Sequence, residues 1–295
     1  MLKFASLRYD FCSNLGDEIQ SLAAEQFLPR VDKKFDRDSL RSIAEADKYL
    51  LILNGYFSKY PERCFPPSES IIPVFYGFHI RTTPFNLEYF MKPEVIDYLR
   101  KHEPIGCRDR HTLQLLQNKG VNAFLSHCLT LTFPKREKEP SHGRIFLVDA
   151  NEIPLPKRIR KNCVKLTHIV SELYGDEIKT KMAQKLLEIY KNEAKLVITT
   201  RIHCALPCIA MGIPVIFFGD PDDHRISILK DLNITIYPYK RTKRGLYKIR
   251  YFRKLMGFLR MGRVDWHPRP LDIETLKARM RQSVTDLIQR KMASA

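Results

Sequence analysis

The stretch Lys195–Phe218, KLVITTRIHCALPCIAMGIPVIFF, leaves this chain little choice of fold. Lys195 to Thr200 is a short apolar, β-branched run of the kind that forms a buried parallel strand. A tight turn and a helix follow, Met211-Gly212 ends the helix, and Pro214 to Phe218 reads as a second buried strand. In open α/β sheets, ligands bind outside the carboxyl ends of the strands, and a helix N-terminus there favours anions. Arg201 and His203 fall at that junction, so an arginine and a histidine are presented at an anion site.

The 295 residues suffice for two ordinary domains, with 44% hydrophobic and 28% charged residues. Lys plus Arg is 50 against 33 for Asp plus Glu, a formal charge of +17. That excess points to an anionic partner: nucleic acid, an anionic membrane surface or a phosphorylated substrate. The start at Met1 has no long apolar core and no cleavage-type small residues, so no signal peptide is expected. No run approaches the about 20 apolar residues of a membrane helix. The seven cysteines are scattered and odd in number, which fits free thiols in a reducing cytosol. Cys204 and Cys208 stand one helical turn apart, as a metal pair or as apolar packing.

Further α/β units precede that stretch. Phe4–Tyr9 reads as a first strand, followed by Asn14 and Gly16 in a positive-φ turn and by Asp17 as a helix N-cap. Asp17 is then either part of a plain connection or a ligand neighbour at the strand's end. Tyr49–Leu53 is a strand ending at Asn54-Gly55, and Ile72–Phe78 another, with His79 and Arg81 past its end. Pro61–Ser70 is a loop, and Phe85–Arg100 a helix interrupted near Pro93. Ile105–Cys107 leads into Arg108 and Asp109, where Asp109 can cap the next helix. Arg108 occupies the same kind of strand–helix junction as Arg201, and two such arginines suit a doubly held carboxylate or phosphate. Cys128–Phe133 reads as a strand and Pro134–His142 as a charged linker.

A second series follows: strands at Arg144–Asp149 and Cys163–Val170, a helix over Ile178–Asn192, then the stretch described first. Arg225 is either a third anion contact or a salt-bridge partner of its acidic neighbours. Lys240 to Arg263 carries ten lysines and arginines, among them Lys248, Arg250, Arg253 and Lys254, and no acid. Its interleaved aromatic and aliphatic residues fit a membrane-interface helix, a packed helix with a solvated basic face, or a nucleic-acid contact. Ile273–Met292 is an amphipathic helix expected to pack back across the domains.

The segments NLGDEIQSLA, LILNGYFS, IPVFYGFHI, PIGCRDRHTLQLLQNKG, SHCLTLTF and KLVITTRIHCALPCIAMGIPVIFFG, with HRISILKDLNI after them, resemble the polysaccharide pyruvyl transferase family over most of residues 5–236. The resemblance implies an α/β fold of two Rossmann-like domains facing across a GT-B-like cleft. Here these are 1–135 (acceptor side) and 143–238 (phosphoenolpyruvate side), followed by a basic C-terminal helical segment, 239–295. It implies transfer of pyruvate from phosphoenolpyruvate to two hydroxyls of a sugar, forming a cyclic ketal. By motif position Arg108, Arg201, Ile202 and His203 line the donor site, with Arg225 on the helix after the last strand. Asn14, Asp17 and Asn54 lie on the acceptor side. His203 is the expected general acid and Asp17 the base. No metal and no cofactor is expected. A polyprenyl-diphosphate-linked glycan acceptor would join a cytoplasmic catalytic body to an anionic membrane surface on its inner face, without nucleic acid. The competing expectation is a GT-B glycosyltransferase that holds a nucleotide-sugar diphosphate with the same arginine and histidine.

Overall fold

The computed structural model describes residues 2–57, 60–239 and 264–294. The basic run Lys240–Arg263, including the membrane contacts expected at Lys248, Arg250, Arg253 and Lys254, lies outside the described residues.

The chain is α/β, with two parallel sheets. The first holds β1 (Lys3–Arg8), β2 (Lys33–Asp36), β3 (Tyr49–Tyr56), β4 (Ile71–His79), β5 (Ile105–Cys107) and β6 (Ala123–Leu125), in the order β2-β1-β3-β4-β5-β6. The second holds β7 (Arg144–Val148), β8 (Cys163–Leu166), β9 (Ala194–Thr199), β10 (Val215–Gly219) and β11 (Ile236–Pro238), in the order β11-β10-β9-β7-β8. Counted from its own first strand, the first sheet runs 2-1-3-4-5-6 and the second 2-1-3-4-5, the doubly wound order whose switch point lies between the first and third strands. Central strands are apolar on both faces. Leu50, Leu51, Ile52 and Leu53 of β3 and Leu196, Val197 and Ile198 of β9 are all buried.

Cα packing groups Met1–Pro134, Ile169–Leu186 and Ile273–Ala295 in one unit, and Lys135–His168 with Leu187–Asp272 in the other. Within the first unit, Ile169 bridges Asn14 and the Val170 amide donates to the Ser13 carbonyl at 2.9 Å. The closing helix Glu274–Ala293 buries Met280, Val284, Leu287 and Ile288 on one face. The Tyr76 hydroxyl donates to the Met280 carbonyl at 3.1 Å, and Arg281 donates to the Thr132 carbonyl, also within this unit.

Several local expectations fail. The N-cap of the first helix, Leu15–Glu25, is Asn14, whose Oδ1 accepts from the Gly16 amide at 3.2 Å; Asp17 sits inside the helix. The left-handed residue before it is Phe11, at φ 51°, and neither Asn14 nor Gly16. The β3 strand continues through Asn54 and Gly55 to Tyr56, with a register shift between Leu53 and Gly55. A short helix, Pro61–Cys64, forms inside the proline-rich loop.

SHCLTLTF does not make a strand. His127 turns at φ 61° and Leu129–Thr132 forms a 3₁₀ turn whose four side chains are all buried, with the Thr132 hydroxyl donating to the Leu129 carbonyl at 2.7 Å. The strand lies just before it, at β6. The β2 strand escapes sequence reading because it is a charged edge strand, KKFD, with only Phe35 buried. The stretch expected as a linker, Pro134–His142, is tied to the second sheet: Arg136 is buried and donates to the Ala194 carbonyl at 2.5 Å.

Candidate functional site

Topology puts the switch point of the second sheet between the ends of β7 and β9. Asp149 follows β7 at φ 49°, and Thr200 and Arg201 follow β9. Arg201 occupies the N-cap position of the helix Ile202–Ala210, in extended backbone. Its amide donates to the Thr199 hydroxyl at 2.9 Å, and that hydroxyl donates to the Val148 carbonyl at 3.1 Å. The Thr200 hydroxyl donates to the Asp149 carbonyl at 3.0 Å. Arg201 Nε donates to Asp149 Oδ2 at 2.9 Å. The same carboxylate accepts from the Thr167 hydroxyl at 2.6 Å and from the His168 amide at 3.0 Å. Burial alone would raise the Asp149 carboxyl, but these hydrogen bonds and the Arg201 charge hold it below its ordinary value.

The Arg201 side chain is 29% exposed, and its two Nη groups donate to nothing among the described residues. His203 lies one residue into the helix and is buried. Ile202, between them, is half-buried. This junction therefore offers a cation with its outer edge open, at a helix N-terminus that itself favours negative charge. Arg225 differs: its guanidinium forks onto Asp223, with Nε at 2.9 Å and Nη2 at 2.5 Å from Oδ2. Cys204 and Cys208 are fully buried. Among the described residues, no group of three or more His, Cys, Asp or Glu side chains is placed to hold a metal ion.

The first sheet's switch point is built around Arg37, on the 3₁₀ turn Arg37–Ser42 after β2. It is 2% exposed and donates from Nε and Nη2 to the two oxygens of Asp38, at 2.8 and 3.1 Å. Its Nη1 stands 3.6 Å from Asp17, and its plane covers the rings of Tyr9 and Tyr56 at 5.0 and 4.8 Å. Asp17, also buried, accepts from the Cys12 thiol at 3.2 Å and from the Gln20 amide at 3.1 Å. Burial, helped by the Asp17 charge, pushes the Cys12 thiol up to about 11, which removes it as a nucleophile at neutral pH. Asn54 is 1% exposed and donates to the Gln20 carbonyl at 3.0 Å, stapling β3 to the helix. Sequence reading missed Arg37, Asp38 and Asp149. The one signal available was position, since each follows a strand at its carboxyl end.

Arg108 also belongs to the first unit, at the end of β5. It is 5% exposed, its Nε has no hydrogen-bond partner, and among the described residues no carboxylate lies within ion-pairing distance of it. A guanidinium buried in that state is costly until an anion reaches it. Its neighbour Asp109 caps the next helix by accepting from the Thr112 amide at 2.9 Å and contacts His79 Nδ1 at 2.6 Å. Against burial, which raises it, the His79 hydrogen bond and charge, the nearby Arg108 charge and the Thr112 amide hold Asp109 at about 2.

Two parallel sheets wound in one order, each with charged side chains beyond its strand ends, define a doubly wound α/β protein. The chain belongs to the polysaccharide pyruvyl transferase family, whose model matches residues 14–222. That span takes in Asn14, Asp17, Asn54, Arg108 and Arg201 through His203, and ends before Arg225. The family is one of transferases acting on polysaccharide. Among solved structures, the fold is similar to that of an uncharacterized protein from Klebsiella pneumoniae subsp. pneumoniae NTUH-K2044. The TM-score is 0.50 at 12% identity, over 80% of this chain and 93% of that one. No curated protein matches the chain. No helix among the described residues is long and apolar enough to cross a membrane.

Proposed function

We propose that the protein transfers pyruvate from phosphoenolpyruvate to two hydroxyls of a sugar in a lipid-linked polysaccharide precursor, forming a cyclic ketal and releasing phosphate. Beside family membership, the observation that carries this reading is Arg201. It is a partly exposed guanidinium at a strand-end switch point, engaged by the protein at Nε alone. Phosphoenolpyruvate has a carboxylate and a phosphate close together, and arginine forks suit both. Arg201 takes one anionic group, and the buried, unpaired Arg108 takes the other.

In this chemistry a proton adds to the methylene carbon and a sugar hydroxyl attacks C2. The bond from C2 to the phosphate oxygen breaks, and the second hydroxyl closes the ring with loss of its proton. His203 delivers the proton to carbon as the general acid. Asp17 receives the hydroxyl proton, for which its buried cluster with Arg37, Cys12 and Gln20 would have to open to the acceptor, with Asn14 and Asn54 shaping that side. Ile202 packs beside the donor, and Arg225 is an outer contact that would have to leave Asp223 to reach it. No step calls for a metal or a cofactor. The basic run Lys240–Arg263, with Lys248, Arg250, Arg253 and Lys254, holds the enzyme at the anionic cytoplasmic face of the membrane, where a polyprenyl-linked acceptor resides.

Incubation with phosphoenolpyruvate and lipid-linked galactose- or mannose-bearing glycans tests this. The expected results are phosphate release that depends on the acceptor and a ketal methyl singlet in the proton spectrum. Turnover of a nucleotide sugar with phosphoenolpyruvate untouched would replace the reading by glycosyl transfer. Arg201→Ala is expected to lower kcat/KM by about 10²–10³-fold, the cost of losing a charged partner to the substrate. His203→Asn should lower kcat by about 10²–10⁴-fold. If Arg108 and Arg201 hold one ligand, R108A and R201A are non-additive in a double-mutant cycle. Strict additivity sinks the shared donor site.

A further inference from the structure

We propose that Asp149 is a positioning residue for Arg201: it occupies the Nε edge of the guanidinium, so that a ligand anion can be taken only end-on, by Nη1 and Nη2. The inference rests on Arg201 being the anion contact of the site described above.

A guanidinium has two edges on which an anion can sit with two parallel hydrogen bonds: the Nη1/Nη2 end and the Nε/Nη side. In this chain the side edge is taken, with Nε on Asp149 Oδ2 at 2.9 Å. Asp149 is itself held from three directions: by the Thr167 hydroxyl at 2.6 Å, by the His168 amide at 3.0 Å, and by the Thr200 hydroxyl on its carbonyl at 3.0 Å. The backbone of Arg201 is fixed separately, by the Thr199 hydroxyl on its amide. These groups come from the ends of β7 and β9, which flank the switch point, and from the residues after β8. Asp149 holds this place at φ 49°, a left-handed backbone that asparagine and aspartate tolerate better than other side chains and that glycine adopts freely. The sequence pair Thr199-Thr200 before Arg201 is thus part of the clamp, with one hydroxyl on the Val148 carbonyl and the other on the Asp149 carbonyl.

Two substitutions separate hydrogen bonding from charge without fighting the backbone. Asp149→Asn keeps an oxygen for Arg201 Nε and the His168 amide and lets its own amide donate to the Thr167 hydroxyl. Asp149→Gly keeps the backbone and removes the clamp. Phosphoenolpyruvate binding to the full chain is expected to weaken about 10–100-fold in D149G and to stay within about 3-fold of the parent in D149N. In the free protein the Arg201 Nε–H resonance, assigned by its loss in R201K, should be slow to exchange in the parent and in D149N and fast in D149G. On addition of inorganic phosphate the Nη protons should slow and the Nε–H resonance should not move.

Parent-like binding in D149G, equal weakening in D149N and D149G, or movement of the Nε–H resonance with phosphate would each overturn the proposal. A protected Nε–H beside absent phosphoenolpyruvate binding leaves the clamp standing and removes the donor assignment instead. Should D149G fail to fold, Thr167→Val removes one hydroxyl from the carboxylate. Faster Nε–H exchange is then expected, and unchanged exchange with unchanged affinity overturns the proposal.

Discussion

The two sheets are wound in the same order, yet their switch points treat an arginine in opposite ways. In the first, Arg37 is 2% exposed and closed off by Asp38, Asp17 and two tyrosine rings. In the second, Arg201 is partly exposed and engaged by one carboxylate at one nitrogen. Topology makes the place, and the loops decide what the charge there does. A buried charge must be neutralised by the protein itself, so Arg37 serves as internal cement. A charge left partly exposed at a strand end keeps its remaining donors unspent by the protein. Arg108 is a third case, buried like Arg37 but with its Nε lacking a hydrogen-bond partner among the described residues.

The sharpest way to break this contrast is to remove each arginine and read stability and activity separately. Arg37→Ala leaves Asp17 and Asp38 without their buried partner and is expected to cost about 3–5 kcal/mol of stability. Arg201→Ala should cost about 1 kcal/mol or less, because the pair is partly exposed and Asp149 keeps two other donors, while activity falls as stated above. Denaturant melts of the two variants decide it: an Arg201→Ala protein as unstable as Arg37→Ala would erase the distinction between cement and ligand contact.

A second prediction concerns the carboxylate beside Asp17. Glu18 is 2% exposed, and its Oε2 accepts only a long 3.5 Å contact from the Thr180 hydroxyl. Burial, with Asp176 nearby, raises it from 4.5 to about 8, against Lys34 and Lys179, which lower it. Because the folded pKa is raised, the folded chain binds a proton between these values that the unfolded chain has released. Stability therefore falls as pH rises from about 4.5 to about 8 and levels off above. Glu18→Gln should stabilise the protein by about 3 kcal/mol at pH 7, more at pH 8 and hardly at all below pH 4.5. A parallel pair of pH–stability curves for parent and variant would show that the first switch point is less tightly sealed than Arg37 implies.

The smallest expected effect lies at the helix start. Asn14→Ala removes the cap on Gly16 and should cost about 1 kcal/mol, read as a shift of the melting curve. A loss of acceptor affinity without loss of stability would instead move Asn14 into direct substrate contact.

Much of the second unit was legible from local pattern. KLVITT and PVIFF are apolar on both faces, and Gly212, at φ 72°, ends the helix between them as its position predicts. Asp109 caps its helix for the same local reason. Where pattern misled, it was because local chemistry imitates other structure. LTLT alternates like a strand but is wholly buried in a 3₁₀ turn, and KKFD looks like loop but pairs along β1. The site was half legible. Arg108, Arg201 and His203 could be picked out as charged residues at strand–helix junctions, whereas Arg37 is hidden in the charged run KKFDRDSLRS and Asp149 looks like the end of a strand.

The order of residues alone determined the parallel α/β class, the strand–turn–helix junctions and the presence of cations at two of them. These follow from periodicity and turn chemistry within about ten residues. Only the tertiary structure decided which charges are spent and which are kept. Arg37 meets Asp17 from 20 residues away and Arg201 meets Asp149 from 52, through loops that come together because their strands are neighbours in a sheet. Ion pairing depends on distance and burial, and neither is a property of a short stretch of chain.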